Sequence, residues 1–280
     1  MYKILVPYNF SESSKNALRQ AGVIATRKNA KIIVVHVLET GGTSSFSTQG
    51  YSPDNATNEL AMLKMIEKLK ERLNLEIPTI INLELLDKIE VKAAYAEHTL
   101  TDVITSFDAN LIVMGTKGFE GSKELFVSSN TQKTVDKSRV PVIVLKEKTP
   151  QSNLGHVVYA SQFEQTHDRE MQLIANFMKD IDADLDLIKV AGKDDKDSDL
   201  KPRLDEVARS LQFSKGKAKA EIIRSDNAKE AVQLYMDKQK GDLLVVNAHH
   251  IAGIGRFWGE NTVEHFVNQM DQPMMLLNVA

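Results

Sequence analysis

The 280-residue chain is 42% apolar and 26% charged with a net charge of −3, the balance of a soluble folded protein rather than a disordered one. That charge offers no broad basic field for nucleic acid or anionic lipid, and the absence of cysteine excludes disulfides, thiolate metal sites and thiol chemistry. The longest apolar runs, such as Val140–Leu145, are far too short to cross a bilayer, and a strand-like run begins at once with Lys3-Ile4-Leu5-Val6. The expectation is a cytoplasmic protein with no membrane or nucleic-acid partner, long enough for two domains that each bury a core.

In chain order, the first half alternates short apolar runs with longer amphipathic stretches. A strand at Lys3–Pro7 precedes a helix over Ser13–Lys28, and a strand at Lys31–Leu38 follows. Gly41–Thr57 is rich in Gly, Ser and Thr and reads as a loop. The next helix, Asn58–Leu73, repeats Leu60, Met62, Leu63, Met65, Ile66, Leu69 and Leu73 at helical spacing, which predicts a core face rather than a cofactor box. Then come a strand at Ile80–Leu86, a helix at Val91–Phe107, a strand at Leu111–Gly115, a helix at Asn130–Ser138 and a strand at Val142–Lys146. Continuous Val/Ile/Leu runs suit strands buried on both faces of a parallel sheet, and the βα alternation implies right-handed crossovers. Lys148-Thr149-Pro150-Gln151-Ser152-Asn153 then separates this half from the next.

The second half repeats the first. Ile4–Phe10 (I-L-V-P-Y-N-F) falls on Val157–Phe163 (V-V-Y-A-S-Q-F), and at the same offset Ala30–Val37 falls on Ala183–Val190. At a shorter offset Asn110–Met114 falls on Asp242–Val246, Gly121 on Gly253, and Val140-Pro141-Val142 on Gln272-Pro273-Met274. The fold expected is therefore α/β, two tandem Rossmann-like domains at 1–148 and 149–280, each a five-stranded parallel sheet flanked by helices. The last strands of the copies, Val140–Leu145 and Pro273–Val279, are apolar and predict an internal pseudo-dimer paired edge to edge. Gly192–Lys201 is charged and reads as a solvated loop.

Ligands of an open parallel sheet bind beyond the carboxyl ends of its strands, where strand order reverses. Two loops of the first copy end there. One is Pro7-Tyr8-Asn9-Phe10-Ser11; the other is Gly115-Thr116-Lys117-Gly118, then nine residues, then Ser128-Ser129-Asn130-Thr131 opening a helix. A glycine-bounded loop running into a helix start suits phosphate, because backbone N–H groups converge there and the helix end carries partial positive charge. Ser129 and Thr131 offer hydroxyls, and Lys117 or Lys123 a charge. The same serines and asparagine also suit plain helix capping, and the residues alone leave both readings open.

Ile4-Leu5-Val6-Pro7-x-x-Phe10-Ser11, together with V-M-G-T-K-G followed nine residues later by a small pair and a helix, resembles the universal stress protein family over both halves. The resemblance implies a five-stranded parallel sheet between helices, dimer contacts along the last strand and, in some members, ATP held by a Gly-x2-Gly-x9-Gly-Ser/Thr loop. Carried over, it marks Pro7, Asn9, Val37, Gly115, Gly118, Ser128, Ser129 and Asn130 as nucleotide-binding, with ATP as cofactor, with or without Mg²⁺. Two residues depart from the pattern. Ser128 replaces the third glycine, at a cost of about 1 kcal/mol if the position needs positive φ, and Asn9 replaces an acidic residue and is a poorer ligand for a divalent metal.

The second copy has Asn247-Ala248-His249-His250 in place of Gly-Thr-Lys-Gly, Gln162 after its first strand, and Glu260 aimed at any phosphate, so no nucleotide site is expected there. His249-His250 and Glu264-His265 lack a metal-ligand spacing, Phe257-Trp258 reads as packing, and His36 and His98 have no nucleophile or acid partner in sequence. The loop after strand one has no glycine, unlike that of related ATP-cleaving ligases, and no residue stands out as a base. No catalytic or metal residue is assigned; at most a weak ATPase is expected. Two functions remain: a stress-response regulator binding ATP or a related adenine nucleotide in its N-terminal copy, and an interaction or dimerisation module, including a homodimer, whose sites have both decayed.

Overall fold

The computed structural model describes residues 1–39, 55–94, 100–116, 129–161, 163, 168–192, 197–211, 216–248, 267 and 270–279. In chain order the first half runs β1 (Lys3–Pro7), α1 (Glu12–Lys28), β2 (Lys31–Glu39), α2 (Asn55–Glu76), β3 (Leu86–Ala94), α3 (Leu100–Thr105), β4 (Leu111–Thr116), α4 (Ser129–Lys137) and β5 (Val142–Lys146). The second half runs β6 (His156–Ala160), α5 (Asp168–Met178), β7 (Asp184–Ala191), α6 (Asp197–Ser210), β8 (Ala218–Arg224), α7 (Ala228–Gln239), β9 (Leu243–Asn247) and β10 (Met274–Leu277).

All ten strands form one sheet in the order β3-β2-β1-β4-β5-β10-β9-β6-β7-β8. Every pairing within a half is parallel, as helical crossovers require, whereas β5 and β10 pair antiparallel. Each half is thus a Rossmann-like α/β unit with helices on both faces. One face carries α1, α2, α5 and α6 over Ile4, Val6, Ile32, Val34, Tyr159 and Leu187; the other carries α3, α4 and α7 over Leu5, Ile33, Val35, Ile112 and Ile188.

The repeat governs the register. Lys3 pairs with Lys31 as His156 pairs with Asp184, and Ile4 lies beside Leu111 as Val157 lies beside Leu243. Ile143 pairs with Met275, its own counterpart in the repeat, so a pseudo-twofold passes through that pair and the contact is isologous. Even a backbone irregularity recurs: Phe10 and Phe163 both adopt positive φ, 66° and 55°.

Four sequence expectations fail. The third strand lies at Leu86–Ala94, not Ile80–Leu86, and α3 is the short Leu100–Thr105 rather than Val91–Phe107. Pro78 opens a 3₁₀ turn at Ile77–Thr79 and a second spans Leu83–Leu85, so the apolar Ile80-Ile81 becomes a connector whose Ile81 packs on α1 beside Gly22. The true strand is an edge strand with one charged face: Lys88, Glu90 and Lys92, beside Ile33, Val35 and Val37 of β2, form a ladder of ion pairs, and such alternation reads weakly against continuous apolar runs. In α2 only Ile66, Leu69 and Leu73 reach the core; Leu60, Leu63 and Met65 are each more than half exposed, because the first part of this 22-residue helix stands clear of the sheet. Lastly, Asp197–Lys201 opens α6 instead of belonging to a loop.

The segment joining the halves is bolted to α1. Asn16 Nδ2 donates to the carbonyls of Lys146 (3.0 Å) and Thr149 (2.8 Å), and Gln20 exchanges two hydrogen bonds with the Ser152 backbone (2.7 and 3.0 Å). At the far end of α1 the buried Lys28 ammonium donates to the carbonyls of Asn176, Phe177 and Lys179 at 3.0, 3.0 and 2.5 Å, closing the C-terminus of α5 in the other half.

Candidate functional site

In the first half, strand order reverses between β1 and β4. β1 stops at Pro7, but both of its neighbours continue, β2 to Glu39 and β4 to Thr116. Pro7 pairs with Val35 and Leu5 with Ile112, so Val37 and Thr116 lie at one level just past the end of β1. They belong to the same face of the sheet, which carries Ile33, Val35, Ile112 and Met114. The missing strand leaves a crevice about 10 Å across, two inter-strand spacings, between Val37 and Thr116, with half-buried Pro7 at its inner end. α3 and α4 cover this face, placing Ile104 and Val135 in its core.

The chain leaves the crevice by turning at Phe10 and entering α1. Asn9 Oδ1 accepts from the Ser11 backbone N–H (3.2 Å) and from Ser11 Oγ (2.6 Å), and Ser11 Oγ accepts from the Ser14 N–H (3.2 Å) to cap the helix. Ser14 Oγ returns a bond to the Ser11 carbonyl at 2.8 Å. The carbonyl of Asn9 is therefore committed to the turn, an acceptor's task that a carboxylate would fill equally well. Behind the turn, on the α1/α2 face, the Arg72 guanidinium stacks on the Phe10 ring at 3.8 Å and Tyr8 donates to Glu76 at 2.6 Å. His36 Nδ1 lies 2.7 Å from the Tyr8 carbonyl and must donate to it; burial holds this histidine below its usual pKa, hence neutral, with Nδ1 protonated.

Gly115 has a role that its place in a phosphate-loop pattern does not reveal. A Cβ there would stand 2.3 Å from the Ser13 carbonyl carbon, 2.4 Å from its oxygen and 2.7 Å from the Ser14 nitrogen. The glycine lets the first turn of α1 rest directly on the end of β4, with Ser13 and Ser14 buried in the contact. In the second half Asn247 holds this position, its Nδ2 donating to the Val279 carbonyl at 3.1 Å, and Ala248 holds that of Thr116.

The structure thus brings Pro7 and Val37 to the crevice with Asn9 at its rim, sets Gly115 against α1 on the opposite face, and has Ser129 and Asn130 open α4. Gly118 and Ser128 lie outside the described residues, as do Lys117, Lys123, His98, His249, His250, Phe257, Trp258, Glu260, Glu264 and His265. Two groups escaped the sequence reading. Thr116 Oγ1 and Thr101 Oγ1, on residues 1% and 0% exposed, find no hydrogen-bond partner among the described residues. Thr116 stood within a quoted loop but read as a spacer, and Thr101 sat inside a helix drawn too long.

Among the described residues no cluster of His, Asp and Glu could hold a metal ion, and no helix is long and apolar enough to cross a membrane. A cavity of about 540 Å³ lies near the amino-terminal ends of β4 and β5, lined by Phe107, Asp108, Lys137 and Arg139, away from the carboxyl ends of the strands.

Strand order reverses in the same way between β6 and β9 of the second half. The model of the universal stress protein family matches residues 1–146. The chain belongs to the universal stress protein family. The universal stress protein MJ0577 of Methanocaldococcus jannaschii is 29% identical over 161 residues, covering 53% of this chain and 97% of that one. A Thermus aquaticus universal stress protein is 29% identical over 147 residues, covering 52% of this chain and all of the relative. Among solved structures, a universal stress protein from Archaeoglobus fulgidus superposes with a TM-score of 0.66 at 18% identity, covering 99% of this chain and 96% of that one, a likeness of fold. Single-unit relatives therefore match half of this chain, and the Archaeoglobus protein matches the tandem arrangement.

Proposed function

We propose that the N-terminal copy binds ATP or a related adenine nucleotide and that the chain acts as a nucleotide-responsive stress regulator. The observation that carries this reading is the crevice between Val37 and Thr116, opened by the early end of β1 beside two helix N-termini. Its apolar walls, Val37 and Pro7, suit the faces of a base, while α4, entered at Ser129 and Asn130, directs backbone N–H groups and partial positive charge towards phosphates, with Gly118 and Ser128 preceding it in the sequence. Asn9 keeps the turn intact through its carbonyl, so its replacement of an acidic residue costs metal affinity rather than the fold of the rim. The second copy, with Asn247 and Ala248 in place of Gly115 and Thr116, takes no nucleotide and serves as the partner half of an internal pseudo-dimer; 1–148 and 149–280 are the two units.

A calorimetric titration with ATP, with and without Mg²⁺, tests this. One site per chain is expected, with saturation below millimolar nucleotide and little dependence on Mg²⁺. No saturable heat at millimolar ATP overturns it and leaves the interaction module, for which the continuous β5–β10 pairing is the supporting observation.

A further inference from the structure

Two buried hydroxyls on the crevice side of the sheet lack a role in the fold. Thr116 ends β4, and its side chain belongs to the face of Ile112 and Met114. Thr101 lies in the first turn of α3, one turn before Ile104, which packs on that face. α3 follows the carboxyl end of β3 and packs against β2 and α4, so Thr101, in its first turn, lies towards the carboxyl ends of the strands, the end at which Thr116 closes β4. Neither Oγ1 finds a partner among the described residues, although Thr105 and Ser106 nearby both bond to helix carbonyls. A buried hydroxyl left unpaired costs folding free energy, and a threonine whose hydroxyl has no partner is otherwise replaceable by valine of the same shape.

We propose that Thr101 and Thr116 are ligand-reading groups: they hydrogen-bond the polar edge of a neutral heteroaromatic base held flat between Val37, Pro7 and the start of α3. This rests on the nucleotide reading of the crevice and assigns the end of the ligand that enters it. The chemistry discriminates. A hydroxyl both donates and accepts but carries no charge, so the pair suits a ring with neighbouring donor and acceptor atoms and adds little for phosphate oxygens, which helix ends and cations favour. The sheet side offers an apolar floor of Val35, Val37, Ile112 and Met114 for a ring face, bounded on β3 by Lys92, which pairs with Val37 and is ion-paired to Glu90. The second copy supports the assignment by contrast: Ala248 at the position of Thr116 leaves no hydroxyl to satisfy.

The test compares the full-length wild type with Thr101→Val and Thr116→Val, each titrated with adenosine, ATP and inorganic tripolyphosphate and each melted without ligand. The expected result is a thermal midpoint unchanged or raised in both variants, affinity for adenosine and ATP lowered about five-fold or more, and tripolyphosphate unaffected. Variants that melt earlier without ligand show that the hydroxyls serve the fold and overturn the proposal. Wild-type binding of adenosine that neither substitution weakens also overturns it while leaving the nucleotide reading standing. Adenosine binding that is weakened by the substitutions but not strengthened by phosphates supports the proposal and removes the triphosphate from the reading. Failure of the wild type to bind either nucleoside or nucleotide at millimolar concentration overturns both.

Discussion

Replacing Gly115 by alanine separates two explanations of the glycine. If it serves only the approach of phosphate, a methyl group there leaves the ligand-free protein untouched. The structure predicts otherwise. The added Cβ meets three backbone atoms of α1 at 2.3, 2.4 and 2.7 Å, where ordinary carbon contacts need about 3.5 Å, so the first turn of the helix must retreat by about 1 Å. Backbone cannot step aside as a side chain can, and α1 is fixed further along by Asn16 and Gln20 on the connecting segment and by Lys28 on α5. Overpacking of this kind costs about 1–3 kcal/mol, and the stiff obstacle argues for the upper half of that range. Against it stands about 0.5–1 kcal/mol gained by replacing glycine in a strand. The expected net loss is about 2 kcal/mol, read as a lower urea midpoint with unchanged slope by circular dichroism, or a fall in Tm of roughly 4–8 °C. A loss below about 0.5 kcal/mol would refute the steric argument and return Gly115 to a role in ligand approach alone.

Two further outcomes follow from named groups. Lys28→Met keeps the aliphatic stem but removes three charge-assisted hydrogen bonds to the end of α5; the lysine's pKa is lowered mainly by burial, so part of the loss is offset by relief of desolvation, and a net cost of about 1–2 kcal/mol is expected in denaturant unfolding. Tyr2, Tyr8, Tyr159 and Tyr235 all have pKa values raised above the ordinary tyrosine value of 10.0, by burial first of all and, for the last three, by carboxylate neighbours Glu76, Glu170 and Asp186. A raised folded pKa gives stability that is complete below pH 10 and lost above it, at up to about 1.4 kcal/mol per pH unit for each phenol, so the absorbance of these four of the six tyrosines should appear together with unfolding rather than before it. Ionisation of more than two tyrosines of the folded protein near pH 10 would contradict this.

The legible parts of this molecule are those written in local pattern. β1 and β5 have their sequence-read limits, and the offsets read from the repeat are those of the strand registers, down to the positive φ shared by Phe10 and Phe163. Buried parallel strands are continuous apolar runs because both faces are covered, and such runs stand out without any tertiary knowledge. β3 did not, because an edge strand with one charged face has no such run, and the apolar Ile80-Ile81 beside Pro78 imitated one. The site divides in the same way. Pro7, Val37 and Gly115 were placed by motif, but what Gly115 touches, why Asn9 is tolerated and which hydroxyls are left unpaired depend on groups distant in sequence meeting across the sheet.

The sequence by itself determined that there are two α/β units and where most of their strands lie, since periodicity and repetition are properties of the chain read in order. Only the tertiary structure decided that the units share one ten-stranded sheet through β5 and β10, that α1 ties the halves together through Asn16, Gln20 and Lys28, and that a crevice opens where β1 ends before its neighbours. The physical reason is common to all three. Hydrogen-bonding edges, helix ends and gaps between strands take their meaning from what packs opposite them, and a single sequence does not record its partner across space.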